Sequence, residues 1–170
     1  MEEGNLTFDG EAPGGSRGWS DVDVAGRART RLAIGAVVLG AAVLALSTVA
    51  MFRGIDPFAT SYYLFAWYAT LLILDGVVAL NGGARDAGGV KRFLLLERPA
   101  FAVTMLGWSA VVWLFYELLN FRLQNWYYVF VPDGHITRWV TVLVSFATVL
   151  PAVFVSMAML RGFGVARDVR

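Results

Sequence analysis

The chain of 170 residues contains no cysteine and a single histidine, His135. The lack of cysteine excludes disulfide scaffolds, thiolate metal sites and cysteine nucleophiles. One histidine excludes a metal centre built from several imidazoles of this chain. Charged residues make up only 16% of the sequence, against about a quarter in soluble domains. The net charge of +1 provides no basic field for nucleic acid. We therefore expect no metal, no cofactor and no nucleic-acid partner.

Apolar sequence is abundant instead, because 58% of the residues are hydrophobic. A helix needs about 20 mainly apolar residues to cross the hydrocarbon core of a membrane. Four segments meet this requirement: residues 32–52, 58–80, 101–121 and 139–160. They predict an all-α fold, an integral membrane four-helix bundle over residues 27–170, with the lipid bilayer as its surroundings. Residues 1–26 are rich in glycine and acidic side chains and are predicted to be a disordered cytoplasmic tail.

The basic residues are divided unequally between the two ends of the predicted spans. Ten flank the first span, the loop between the second and third, and the end of the fourth: Arg27, Arg29, Arg31, Arg85, Lys91, Arg92, Arg98, Arg161, Arg167 and Arg170. The opposite end has three: Arg53, Arg122 and Arg138. Basic residues remain on the cytoplasmic side of a membrane protein. We therefore expect cytoplasmic N- and C-termini and a multi-pass protein of a bacterial-type inner (cytoplasmic) membrane.

Two acidic residues lie within the predicted spans, Asp75 in the second and Glu117 in the third. Inserting an acid costs about 2.5–3.5 kcal/mol, so both are candidate functional and candidate catalytic groups. At about 1.5 Å per residue, Asp75 lies about 9 Å to the cytoplasmic side of the midplane and Glu117 about 9 Å to the outer side. They are therefore not expected to pair. For Asp75, a link to the cationic loop that follows is the alternative to a proton or ligand site.

Polar and aromatic residues surround Glu117 at the outer end of the third span. Helical spacing aligns Ser109, Trp113 and Asn120 with it, and the second span and the next loop add others at a similar depth. We predict an aromatic-walled pocket for a hydrophobic or isoprenoid ligand. Its predicted residues are Ser61, Tyr62, Tyr63, Ser109, Trp113, Glu117, Asn120, Asn125 and Trp126. The alternative is that Glu117 only ties the loop through Asn125 or Arg122.

Other features predict how the spans pack and bend. Ala36 and Gly40 form a small-xxx-small face, which favours close packing within the protein, with a second copy or with another membrane protein. Pro151 is predicted to kink the fourth span close to Thr148. The apolar and basic segment 91–98 is predicted to lie along the lipid headgroups as an anchor.

A sequence order in the second half of the chain is similar to a known family. Leu74-Asp75 at a helix end is followed by a basic loop, then Trp113 to Glu117, then Asn125-Trp126-Tyr127. This order resembles the small membrane-embedded lycopene cyclase domains of the heterodimeric bacterial type, over roughly residues 70–155. The resemblance implies a multi-span protein that cyclises carotenoid ends by proton transfer. Where that family has Pro-Leu-Glu-Glu, this chain has Leu150-Pro151-Ala152-Val153, so the acid pair is absent. The resemblance then implies a diverged member that keeps an isoprenoid groove without the chemistry.

Two functions of different classes follow from the sequence. The first is a non-catalytic module that binds a hydrophobic ligand, or a subunit of a larger membrane complex. The second is an isoprenoid- or carotenoid-modifying enzyme, with Glu117 as the acid and Asp75 as a second proton group. Proton-coupled transport is less favoured because the spans lack paired breaks. Whether the protein is catalytic is left open by the sequence.

Overall fold

The computed structural model describes the backbone of residues 17–85, 89, 91–129 and 132–165, and side chains from residue 24 onward. Within these residues the chain is helical and forms no β-strand. The helices are α1 (Arg17–Phe52), α2 (Tyr62–Asn81), α3 (Pro99–Leu123), α4 (His135–Phe146) and α5 (Val149–Gly162). Four segments are long and apolar enough to cross a membrane: Val24–Phe52, Tyr62–Asn81, Pro99–Leu123 and His135–Gly162. The prediction of an all-α chain with four such segments is confirmed.

Helix α1 begins earlier than the sequence predicted. The predicted tail ends at residue 26, whereas the chain is helical from Arg17. The prediction of disorder for residues 1–16 lies outside the described residues. Alanine and arginine, which favour helix, dominate residues 25–31, and Arg29 Nε donates a hydrogen bond to Glu97 Oε1 at 2.7 Å. This contact joins the first part of α1 to the loop after α2.

The helices pack in an open row. Helix α1 packs against α2, α2 packs against α4 and α5, and these two pack against α3. Helices α1 and α3 therefore lie at the ends of the row. Their outward faces carry exposed apolar side chains, such as Leu46 on α1 and Leu118 on α3. Such faces are suited to contact with lipid chains.

Small residues bring α1 and α2 close together. A Cβ atom on Gly40 would lie 2.8 Å from the carbonyl oxygen of Ala69, and one on Gly76 would lie 2.9 Å from that of Ala33. Real Cβ atoms do not approach a carbonyl oxygen this closely, so glycine is required at both positions. The small-residue face predicted on the first span is therefore used for packing within the protein.

The fourth span is broken between α4 and α5, at Ala147 and Thr148. Pro151 causes this break, because it has no N–H for the carbonyl of Ala147 and its ring clashes with that group. The hydroxyl of Ser109, on α3, fills the gap. It donates to the carbonyl of Phe146 at 2.7 Å and accepts the N–H of Leu150 at 3.1 Å. The helix is interrupted close to Thr148, where the sequence predicted a kink, and Ser109 replaces one missing bond of the helix.

The predicted basic segments meet at one end of the row. The pair of Arg29 and Glu97 links the start of α1 to the loop before α3. Asn81 Nδ2, at the end of α2, donates to the carbonyl of Met159 in α5 at 2.9 Å. Segments 53–61 and 124–129 lie at the opposite end, where residues of both line one cavity. That the basic end faces the cytoplasm stays a prediction.

Candidate functional site

Asp75 lies inside the protein and binds backbone amides of the loop that follows α2. It is 1% exposed. Its Oδ1 accepts the N–H groups of Leu94 and Leu95 at 2.6 and 3.1 Å. Its Oδ2 accepts those of Leu95 and Leu96 at 3.1 and 2.9 Å. Three successive amides thus converge on one carboxylate, an arrangement typical of an anion-binding backbone nest.

The loop segment 91–98 folds into the protein around this carboxylate. Phe93 is buried and packs against Ala33, Ala36 and Ala79. Leu94 and Leu95 pack against the cluster around Val155. The predicted position along the headgroups is therefore corrected for Phe93, Leu94 and Leu95, which pack into the protein, whereas Lys91, Leu96 and Arg98 are exposed. Buried amides need acceptors, and Asp75 supplies them to Leu94, Leu95 and Leu96. The expected link from Asp75 to this loop exists, but it is made to amides.

Glu117 lies near the C-terminal end of α3 and is 7% exposed. It binds two aromatic side chains of the loop that follows this helix. Its Oε1 accepts hydrogen bonds from Trp126 Nε1 at 3.0 Å and from the hydroxyl of Tyr128. Trp113 Nε1 donates to the same Tyr128 hydroxyl at 3.2 Å. Glu117 therefore does tie the loop to the helix. The partners are Trp126 and Tyr128, where the sequence suggested Asn125 or Arg122.

Asn120 fixes the start of that loop, one turn beyond Glu117. Its Oδ1 accepts the N–H groups of Asn125 and Trp126 at 2.9 and 3.2 Å. Its Nδ2 donates to the carbonyl of Trp126 at 2.9 Å. On the helix side, the ring of Trp113 stacks on Phe146 of α4, with ring centroids 3.8 Å apart. The loop, α3 and α4 are thus held together around Glu117.

Glu117 faces a cavity of about 530 Å³, which we name the Glu117 cavity. Half of its ten lining residues are aromatic, and four others are polar or charged. Its lining residues are Glu117, Asn120, Phe121, Gln124, Trp126, Tyr127, Tyr128, Arg138, Trp139 and Val142. Among the described residues, the hydrogen bonds of Glu117 fall on Oε1 and leave Oε2 without a partner. The carboxylate therefore keeps one oxygen for a ligand.

An adjoining cavity of about 300 Å³ shares Tyr127, Tyr128 and Val142 with the Glu117 cavity. We name it the adjoining cavity. Its other lining residues are Thr60, Ser61, Tyr63, Trp67, Val129, Thr141, Ser145 and Phe146. The two cavities together run from the polar environment of Glu117 to the more apolar surface near Trp67.

The structure brings together most of the residues that the sequence predicted for the pocket. Glu117, Asn120 and Trp126 line the Glu117 cavity, and Ser61 and Tyr63 line the adjoining cavity. Trp113 is not among the lining residues of either cavity, but its Nε1 donates a hydrogen bond to the hydroxyl of Tyr128, which lines both. These residues come from α3, from the loop after it and from the start of α2. The sequence had placed them at a similar depth in the predicted membrane spans.

Three predicted pocket residues lie elsewhere. The Tyr62 hydroxyl is 3.0 Å from Thr48 Oγ1, in the contact of α1 with α2. Ser109 fills the break between α4 and α5. The side chain of Asn125 is exposed, and its contact with Asn120 is made by its backbone N–H.

Helix α4 contributes three lining residues that the sequence reasoning missed. Arg138, Trp139 and Val142 face the Glu117 cavity. Helical spacing from Trp139 to Val142 is a signal that could have found two of them, because residues three apart share a helix face. The missing information was that α4 packs beside α3 at this end.

The hydroxyl of Tyr128 keeps its proton in this environment. Burial raises the pKa of Tyr128 from 10.0 to about 12, and its hydrogen bond to Glu117 acts in the same direction. Tyr128 is therefore a neutral donor to the Glu117 carboxylate near neutral pH. This bond holds Tyr128 in place, and Tyr128 lines both cavities.

A further cavity of about 490 Å³ lies at the Asp75 end, between α2 and α3. Its lining is almost entirely apolar: Tyr68, Leu71, Leu72, Asp75, Leu95, Leu96, Pro99, Ala102, Val103, Leu106 and Pro151. Asp75 contributes little to its chemistry, because both carboxylate oxygens already accept loop amides. This cavity offers space for lipid chains but, among the described residues that line it, no free polar group that would orient them.

The fold and the site define an all-α protein with four helices able to cross a membrane and an acidic, aromatic cavity at one end. No protein family, curated protein or solved structure matches the chain.

Proposed function

We propose that the protein is a multi-pass membrane protein that binds a hydrophobic or amphiphilic ligand in the Glu117 cavity without changing it chemically. One observation carries this proposal: a buried carboxylate with a free oxygen and an aromatic wall face the same cavity of about 530 Å³. A few polar groups in an apolar wall are typical of small-molecule sites. The hydrogen bonds of Glu117 and Asn120 fix the wall before a ligand arrives, which lowers the entropic cost of binding.

The orientation with both termini in the cytoplasm is part of this proposal. The meeting of the basic segments at one end of the row supports it. The Glu117 cavity then lies at the level of the outer headgroups, where an amphiphile can enter from the membrane. The exposed apolar faces of α1 and α3 are where a partner protein or a second copy would pack, if the chain is part of a larger complex.

The experiment that tests ligand binding fills the cavity. The protein is purified in mild detergent, and its co-purifying small molecules are extracted and quantified per chain by mass spectrometry. Val142→Phe is expected to lose most of the bound ligand, because Val142 lines both cavities. Val140→Phe is the matched control, since Val140 is exposed on the same helix. Tyr127→Ala removes an exposed aromatic side chain from the cavity lining and adds no side-chain volume. It is expected to weaken retention of the ligand. Equal ligand content in all four proteins would refute the proposal.

The second candidate function is an isoprenoid-modifying enzyme with Glu117 as the acid. The contact of the Tyr128 hydroxyl with a carboxylate that faces the cavity favours it. Asp75 is a poor second proton group, because it is buried and accepts three amides. Glu117→Gln separates the two functions when the pigment and lipid profiles of expressing cells are compared. An enzyme predicts loss of a product, whereas a binding module predicts unchanged profiles at equal expression.

A further inference from the structure

The Glu117 cavity contains two opposite charges that do not pair with each other. Arg138 Nε donates to the carbonyl of Pro132 at 3.2 Å, and Glu117 Oε1 is occupied by Trp126 and Tyr128. In the part of the chain that the structure describes, neither charge belongs to a salt bridge. Both residues nevertheless line the same cavity. A ligand with a positive and a negative group would satisfy both of them at once.

The wall around Glu117 is suited to a cation. Trp126, Tyr127 and Tyr128 come from the loop, and Phe121 and Trp139 from α3 and α4. The rings of Phe121 and Trp139 lie with their centroids 6.3 Å apart. Aromatic faces attract ammonium groups, most strongly where water is excluded. A carboxylate oxygen beside several such rings is the combination that recognises an alkylammonium group.

The Arg138 side of the cavity is suited to a phosphate. A guanidinium group offers five N–H donors in a planar fork, which matches the oxygens of a phosphate. Only Nε of Arg138 is engaged among the described residues, so the terminal nitrogens are available. Gln124 and Asn120 line the same cavity and add amide groups.

We propose that the ligand is a zwitterionic amphiphile. Its ammonium group lies between Glu117 and the aromatic wall, its phosphate binds Arg138, and its apolar chain extends into the adjoining cavity near Trp67 and Phe146. This proposal rests on the proposed binding function and adds the chemical class of the ligand. A phospholipid headgroup and a soluble phosphoethanolamine share this zwitterionic chemistry, and the apolar lining of the adjoining cavity favours the lipid.

The test measures lipid binding by native mass spectrometry of the detergent-purified full chain. Phosphatidylethanolamine, which has both charges, is compared with phosphatidylglycerol, which has only the phosphate, and with a dialkyl-trimethylammonium lipid, which has only the cation. Wild-type protein is expected to bind phosphatidylethanolamine about tenfold more tightly than either, the effect of roughly one charge-assisted hydrogen bond. Equal binding of the three lipids would overturn the proposal.

Variants assign each charge to its group. Glu117→Gln is expected to reduce phosphatidylethanolamine binding to the level of phosphatidylglycerol. Arg138→Gln is expected to weaken both phospholipids and to leave the trimethylammonium lipid unaffected. The matched controls are Arg122→Gln and Asp133→Asn, exposed residues near this end that do not line the cavity. If the controls reduce binding as much as the cavity variants, the proposal is wrong.

Two further measurements keep the outcomes distinct. Tyr127→Ala leaves the buried network intact and should lower the preference for phosphatidylethanolamine even if Glu117→Gln unfolds. Soluble glycerophosphoethanolamine should not displace the lipid at equal concentration; if it does, the ligand is a free zwitterion and the amphiphile proposal fails. If Val142→Phe removes a ligand that is not zwitterionic, only the headgroup inference fails. If Val142→Phe removes no ligand, the proposed function fails as well.

Discussion

At the residue scale, the two buried acids have different roles. Both oxygens of Asp75 accept amides of one loop, so this carboxylate shapes the backbone. Glu117 uses one oxygen for Trp126 and Tyr128, has no partner for the other among the described residues, and lines a cavity. The cost of inserting an acid marks both positions in the sequence equally. What distinguishes them is how fully each carboxylate is satisfied by the protein.

Asp75→Asn should release the loop that Asp75 holds. The amide side chain has one acceptor oxygen instead of two, and its NH₂ group faces N–H donors, so we expect a loss of about 1.5–3 kcal/mol in the free energy of unfolding. Thermal unfolding in detergent measures this loss. Trypsin should also cut faster at Lys91 and Arg92. Asp133→Asn, at an exposed position, is the control, and wild-type cutting rates in Asp75→Asn would contradict the role given to Asp75.

Tyr128 should titrate well above pH 10.0, the ordinary pKa of a tyrosine. Burial and the bond to Glu117 raise its pKa to about 12, so the folded state holds the proton more tightly than the unfolded state. The free energy of unfolding is therefore unaffected below pH 10.0 and falls between 10.0 and about 12. The difference in tyrosinate absorbance between wild type and Tyr128→Phe reports this group alone. A midpoint near 10.0 would show that Tyr128 does not donate to Glu117 in a buried setting.

At the element scale, the sequence predicted the spans well and their connections poorly. The length of an apolar run determines whether a helix can cross a membrane, so the predicted spans agree with the helices to within a few residues, apart from the early start of α1. The interruption of the fourth span near Pro151 was predictable because proline acts locally. The hydroxyl of Ser109 in that break was not, since it comes from a helix that is distant in sequence.

Gly40→Ala tests the close contact of α1 and α2. The added Cβ would lie 2.7 Å from Ile73 Cγ1 and 2.8 Å from the Ala69 carbonyl oxygen, so the helices must separate. We expect a loss of about 1–3 kcal/mol, typical of overpacking, measured as a lower midpoint of thermal unfolding. Gly35→Ala, on the same helix, has no neighbour within 4 Å and should unfold like wild type or later. An equal change in the unfolding midpoint for both substitutions would indicate that the added Cβ acts through helix propensity alone and not through the contact of α1 with α2.

At the scale of the whole molecule, the site depends on which helices are neighbours. The stripe on α3 was visible in the sequence because helical spacing is regular. Arg138, Trp139 and Val142 were missed because their place beside α3 follows from the row in which the helices pack. The same packing order explains why Ser109 and Tyr62 do not line the pocket. Their predicted depth is right, but their side chains lie in contacts between helices.

The absence of cysteine allows a clean test of orientation. Ile55→Cys and Asp133→Cys place a thiol at the end with the Glu117 cavity, and Val165→Cys places one after α5. All three positions are exposed. With the basic end in the cytoplasm, a membrane-impermeant maleimide should label the first two in intact cells and the third only after permeabilisation. The reverse pattern would place the Glu117 cavity on the cytoplasmic side.

The most direct test of ligand binding at Glu117 is to map where a lipid binds. A phosphatidylethanolamine with a photoreactive group near its headgroup is cross-linked to the purified protein, and the modified residues are identified by mass spectrometry. We predict adducts concentrated within residues 120–128 and 138–142, the two segments that contain the lining residues of the Glu117 cavity other than Glu117 itself. These adducts are expected to be lost in Val142→Phe but not in Val140→Phe. Adducts spread evenly over the outward faces of α1 and α3, unchanged in Val142→Phe, would contradict a ligand site at Glu117.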